Sequence, residues 1–124
     1  MKTMQNIQRG FSLVSAIFLL VVIAALDVLG ARAYQASRAG IEWGAYQAIN
    51  GAIACGTFAA PVSTNVTLPG TTLQNFTVTV DCGRGATTEA GAPVTMYQLT
   101  STAKQGTVAT PNYVERQMSV TIAQ

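Results

Sequence analysis

The side chains able to do chemistry in this chain are few. There are two cysteines, Cys55 and Cys82, five carboxylates and no histidine. Without histidine neither a Ser-His-Asp nor a Cys-His nucleophile can be assembled, and zinc loses its commonest nitrogen ligand. Two cysteines cannot close a structural metal site by themselves, and their separation rules out a Cys-x-x-Cys redox pair. In an exported domain they read as one disulfide, Cys55–Cys82, which would stabilise the fold by about 3–4 kcal/mol through the loop it closes. In a reducing compartment they read as two buried thiols. No glycine loop for phosphate, no pair of carboxylates at glycosidase spacing and no nucleophile beside a base occurs. The expectation is a protein that is not an enzyme, with no cofactor and no metal.

Charge adds a second exclusion. Lys2 and Arg9 stand near the start, and from Phe11 onward Arg32, Arg38, Arg84, Lys104 and Arg116 face Asp27, Glu42, Asp81, Glu89 and Glu115. Five bases against five acids leave no basic patch, so no nucleic-acid partner is expected. Two Asn-x-Thr acceptor patterns, at Asn65 and Asn75, read as chance in a threonine-rich region. The tip Gly83-Arg84-Gly85 reads as a turn that could make contacts.

The elements that would carry these residues divide the chain at about residue 54. Residues 1–10 are polar, and Phe11 to Leu26 is an uncharged block of sixteen residues closed by Asp27. As a helix that block spans about 24 Å, short of the roughly 30 Å hydrocarbon core, and extending it to Ala31 takes in the carboxylate. The basic residues before it place the N-terminus on the cytoplasmic side of a membrane. A plain anchor, a signal peptide cut after Ala31-Arg32-Ala33, and a processed leader ending at Gly10 are the three readings of such a segment. From Asp27 to about Ile53 no proline interrupts a helical period, with Tyr34, Ile41, Ala45, Ala48 and Ala52 as an apolar stripe. A second line, Ala36, Gly40, Gly44 and Ala48, is small at every fourth position and suits either a neighbouring helix or this chain's own sheet. After Cys55 turn signals recur, and alternating residues predict strands near 74–82, 94–104 and 113–123, with a weaker one near 64–68. Their short connections suit an antiparallel meander.

In Gln8-Arg9-Gly10-Phe11-Ser12-Leu13-Val14 the glycine and the large apolar residue meet where the polar leader ends. This junction resembles the class III signal of type IV prepilins. Gly30-Ala31-Arg32-Ala33-Tyr34-Gln35-Ala36 and Ala39-Gly40-Ile41-Glu42-Trp43-Gly44-Ala45-Tyr46 resemble the MshP-like accessory pilins of MSHA-type type IV pili, with a looser likeness up to Tyr113-Val114-Glu115-Arg116-Gln117. The resemblance implies peptidase cleavage between Gly10 and Phe11, N-methylation of Phe11, and a membrane and assembly helix using Leu13, Val14, Ser15, Ile17, Phe18, Leu19 and Leu20.

It also implies an α+β, pilin-like fold, with a long N-terminal helix packed on a small antiparallel sheet. The divisions are a leader at 1–10, the helix at 11–54 and the β domain at 55–124. The implied function is that of a minor pilin that initiates or caps assembly, single-pass in the inner membrane and then in the pilus at the cell surface. Its partners would be other major and minor pilins, the prepilin peptidase and the inner membrane. Two features depart from the family. Ser15 stands at the fifth mature position, where most pilins carry glutamate, and the link from Leu26 to Gly30 is short. A serine cannot neutralise a neighbour's terminal amine in an apolar filament core, which points to a capping subunit. The alternatives are a type II secretion pseudopilin, a secreted binding domain released after Ala33, and a DNA-capturing tip pilin, which the neutral charge disfavours.

Overall fold

The computed structural model describes residues 2–124, and of residues 2–12, 22–23 and 25–26 the backbone alone. One helix, α1 (Lys2–Ile49), precedes four strands: β1 (Val62–Val66), β2 (Thr77–Glu89), β3 (Ala92–Gln105) and β4 (Val114–Ala123). The strands form one antiparallel meander in the order β1-β2-β3-β4. Alternation explains the sheet. Val78, Val80 and Cys82 pair with Ala103, Ser101 and Leu99, and all six are buried on the face toward the helix. The opposite positions, Thr79, Asp81, Thr100, Thr102, Gln117 and Ser119, form a polar outer face. Hydrogen bonds cross that face from Thr79 to Asn65 (3.1 Å), between Thr100 and Ser119 (3.1 Å) and from Ser63 to Asp81.

The line of small residues is what seats the helix. Ala33, Ala36, Ser37, Gly40, Gly44 and Ala48 are buried against the sheet. A Cβ on Gly40 would stand 2.7 Å from Val78 Cγ1, and one on Gly44 2.9 Å from Val80 Cγ1. The glycines therefore let the helix backbone approach β2 and β3 to a distance no other residue permits. The small-residue line serves this chain's own sheet. The expected stripe is turned away from that contact: Tyr34 and Ala52 are exposed, Ile41 and Ala45 half-buried, and Ala48 alone of the five is buried. The helix closes at Ile49, short of residue 54, because Gly51 takes φ 66° and the chain ends in a left-handed cap. In it Gly51 N–H donates to Ala48 O (3.2 Å), Ala52 N–H to Gln47 O (2.8 Å) and Asn50 Nδ2 to Tyr46 O (2.8 Å).

The expected pilin-like layout, a long N-terminal helix packed on the sheet, is corrected. The residues of α1 that pack on the core run from Leu29 to Ala48, and Leu13 to Val21 stand clear of it. What covers the sheet is thus a short segment, about 30 Å at 1.5 Å per residue. The physical reason is the size of the partner. The sheet's apolar face, from Val78, Val80, Leu99 and Ala103 out to Val114, Val120 and Ile122, belongs to one core with the Leu29–Ala48 stretch, and Leu13 to Val21 are not part of that core. The single-pass inner-membrane expectation is also corrected: among the described residues no helix is long and apolar enough to cross a membrane. The uncharged block is too short for the hydrocarbon core, and Asp27 prevents its extension.

Candidate functional site

Three places bring the notable side chains together: the helix arm before Leu29, the cystine joining the post-helix loop to β2, and the outer face of the sheet beside that loop.

In the arm, Leu13, Val14, Ile17, Phe18, Leu19, Leu20 and Val21 are all exposed, Phe18 by 67%. Seven apolar side chains exposed all round the helix, rather than along one stripe, form a surface with no partner among the described residues. Ser15 is exposed among them. The expected cleavage pair, Gly10 and Phe11, lies outside the residues whose side chains are described. A chain beginning at Tyr34 would lose Ala33, which is fully buried, and Leu29, which packs against the core. The folded domain therefore uses residues that cleavage after Ala33 would remove.

The second place is the Cys55–Cys82 disulfide, with a Cα–Cα distance of 4.7 Å across 27 positions of sequence. Cys82 is buried on β2, and Cys55 lies six residues past the helix end. The bond continues into a short parallel bridge: Gly56 N–H donates to Cys82 O (3.0 Å), and Arg84 N–H donates to Gly56 O (2.7 Å). Covalent and hydrogen-bonded ties together fix where the loop 56–61 crosses the sheet margin.

The third place was not foreseen. Gly83 and Gly85 are not a turn tip; both lie within β2, at outward positions of the strand. Phe58 rests on them. A Cβ on Gly83 would stand 3.3 Å from the Phe58 ring, and one on Gly85 would overlap it. The signal in the sequence was the Gly-x-Gly spacing inside an alternating run, which clears one face of a strand for something else to sit there. Beside the ring is a cleft of about 280 Å³ lined by Phe58, Pro61, Asp81, Gly83, Gln98, Thr100 and Gln117.

Electrostatics elsewhere are weak. Arg38 Nε and Glu42 Oε1 pair at 3.3 Å with both side chains well exposed, an arrangement worth under about 1 kcal/mol. Tyr113 donates its hydroxyl to Glu115, and that bond, with lesser contributions from desolvation and the carboxylate's charge, raises the Tyr113 pKa above its ordinary 10.0. Among the described residues no group of three His, Cys, Asp or Glu side chains could hold a metal ion. Ser101 Oγ is buried without a hydrogen-bond partner, directly beneath Gly40.

No family model, no curated protein and no solved structure matches this chain.

Proposed function

We propose that this protein is a non-enzymatic filament subunit, a minor type IV pilin of the MSHA kind, that initiates or caps assembly through its helix arm. The observation that supports the reading is the arm itself. Leu13, Val14, Ile17, Phe18, Leu19 and Leu20 are exposed on a helix that continues without a break into the packed domain. Burying a side chain of that size gains about 1.5–3 kcal/mol, so an arm with several has a strong drive to associate with other apolar helices. The domain behind it, held by a cystine, would be carried as a rigid head.

In this reading the prepilin peptidase cuts between Gly10 and Phe11 and methylates Phe11, and the partners are other pilins. Ser15 lacks the charge that would pair with a neighbour's terminal amine. A subunit at the filament end leaves no amine unpaired ahead of it, whereas one in the shaft would strand a buried charge at a cost of several kcal/mol.

The test is a photo-crosslinking residue at Phe18 in cells that make the filament. Crosslinks to pilin helices, with immunogold spots at filament ends, are the expected result. An intact mass that begins at Phe11 and carries one methyl group is its companion. Crosslinks to no pilin would remove the assembly role, and continuous labelling along the shaft would remove the cap. A mature chain beginning at Tyr34 would replace the reading with a secreted domain.

A further inference from the structure

The two edges of the sheet are finished differently. The β1 edge is short, five residues, and beyond it Gly56 takes up Cys82 O and Arg84 N–H of β2. The β4 edge is ten residues long, and among the described residues nothing pairs with its outer side. Thr95 and Gln124 exchange both of their backbone hydrogen bonds (2.9 Å each), which fixes the phase of the β3–β4 ladder. The even-numbered residues of β4 therefore turn their N–H and C=O groups to β3, and Glu115, Gln117, Ser119, Thr121 and Ala123 turn theirs outward. All five of these residues are exposed. Sheet edges that stay single are ordinarily short, bulged, or guarded by proline or charge. From Gln117 to Ala123 this one has no charge and no proline, and its register with β3 is continuous.

The helix leaves that edge room on the inner face. It crosses the sheet obliquely: Gly30 meets Arg116 on β4, whereas Gly40 and Gly44 meet Val78, Val80, Ser101 and Leu99 on β2 and β3. At the other end of β4, Val120 and Ile122 are only half-buried on this same face.

We infer that β4 is the pairing edge for a second copy of this chain, joined antiparallel about a two-fold axis at Ser119. In this register Ser119 opposes its own counterpart, Gln117 opposes Thr121 and Glu115 opposes Ala123. Every outward N–H and C=O of the strand is then paired, in about ten backbone hydrogen bonds. Met118 opposes Val120 on the inner face, and Arg116 opposes Ile122, so each charge lies across from an uncharged residue. An axis at Arg116 would set two guanidinium groups against each other. An axis at any residue other than Ser119 would leave part of the strand unpaired. The oblique helix fits the same symmetry. The start of one helix, over Arg116, comes beside the other copy's Ile122, where that copy's own helix has moved off toward β2 and β3. Such a contact is closed, because one edge meets itself and no free edge is passed on. The two-fold sets the two apolar arms at opposite ends of the joined sheet. The contact is thus separate from association through the arms, and it does not rest on the filament reading.

The experiment is disulfide capture in the purified full-length chain. Cys55 and Cys82 are already joined, so an introduced cysteine is the one thiol available. Opposed residues of such a pair stand about 5.5 Å apart at Cα, inside the roughly 4.4–6.8 Å that a disulfide spans. Ser119→Cys, oxidised with copper phenanthroline at micromolar protein, should give a disulfide-linked dimer as its main product. Gln117→Cys alone should give about tenfold less, because four residues of strand, roughly 14 Å, separate it from its counterpart. Mixed with Thr121→Cys it should crosslink as readily as Ser119→Cys, which covers the case in which a cysteine at 119 disturbs the strand. Thr121→Pro removes one outward N–H without touching the β3 ladder and should cut Ser119→Cys crosslinking about tenfold. Phe18→Ser should leave that crosslinking unchanged. No dimer from either Ser119→Cys or the mixed pair, equal capture by Gln117→Cys alone, indifference to Thr121→Pro, or loss with Phe18→Ser would overturn the pairing. So would crosslinks from Ser119→Cys that form in intact cells to an unlike protein alone, which would give the edge to a foreign strand.

Discussion

Helix α1 is one element with two unlike halves. From Leu29 to Ala48 the side facing the sheet carries alanine, serine and glycine, and the large side chains are displaced to the flanks. From Leu13 to Val21 the side chains, Ser15 and Ala16 apart, are large and apolar, and they are exposed in every direction. Hydrophobicity alone would assign the second half to the interior, yet it is the first half that is buried. Close packing decides the matter. A small-residue surface lets Val78, Val80 and Leu99 enter to van der Waals contact, whereas bulky residues all round a helix offer no face that one small sheet can cover. Burial inside this molecule thus follows shape, and the half with the larger apolar side chains is the one left exposed.

That contrast can be broken most forcefully at the tether of the packed half. Replacing Cys55 and Cys82 together with alanine should lower stability by about 3–4 kcal/mol in the chain-entropy account, read as a shift in the denaturant midpoint at constant slope. A change under about 1 kcal/mol would mean that the helix-to-sheet contact holds the loop without the bond.

A smaller effect is expected from filling the seam. Gly40→Ala places a methyl group against Ser101 Oγ and Val78 Cγ1 and should destabilise by about 1–3 kcal/mol. Ser101→Ala removes a buried hydroxyl that has no partner and should be neutral or stabilising. Gly40→Ala should therefore cost less in the Ser101→Ala background, and a double-mutant cycle measures the coupling. Strict additivity would show that the two positions do not meet.

The opposite behaviour is expected in the arm. Phe18→Ser should change the unfolding free energy of the dilute, unassociated protein by no more than about 0.5 kcal/mol, because the side chain is 67% exposed. Its self-association, followed by sedimentation, should fall. A loss of stability as large as that of Gly40→Ala would erase the distinction between the halves.

The smallest effect lies outside the helix and serves as a control on the head. The Tyr113 hydroxyl bonds Glu115 only while it is protonated, so its raised pKa adds stability that is present below about pH 10 and lost as pH rises through the folded value. Glu115→Gln should bring the Tyr113 titration down toward 10.0, visible in the tyrosinate absorbance, with the helix seam unaffected. An unchanged titration would show that the contact does not control the phenol.

Much of this was legible residue by residue, and the misses share a cause. The run Phe76 to Cys82 alternates cleanly because the sheet has one apolar and one polar face, so its strand could be read directly. The strand's continuation to Glu89 could not. Gly83 and Gly85 look like breaks, yet β2 runs on to a two-residue turn at Ala90 and Gly91, both with positive φ, because pairing with β3 supplies what local propensity lacks. The stripe through Tyr34 and Ile41 misled in the same way: period identifies a helix, but which side faces the sheet depends on how closely the backbones can approach.

By itself the sequence determined the absence of histidine chemistry, the helical period after Asp27, the alternation of the strands and the pool of two cysteines, because each is a property of residue type and spacing within a few positions. The sequence also named the Cys55–Cys82 bond, since only two cysteines were there to pair, and the structure contains it. Tertiary structure alone decided that Gly40 and Gly44 serve the sheet, and that the apolar arm is left outside. It also decided that Phe58 lies over Gly83 and Gly85 beside Asp81. Each of these joins residues that are distant along the chain, and such contacts are selected by the fit of whole surfaces, which no local pattern encodes.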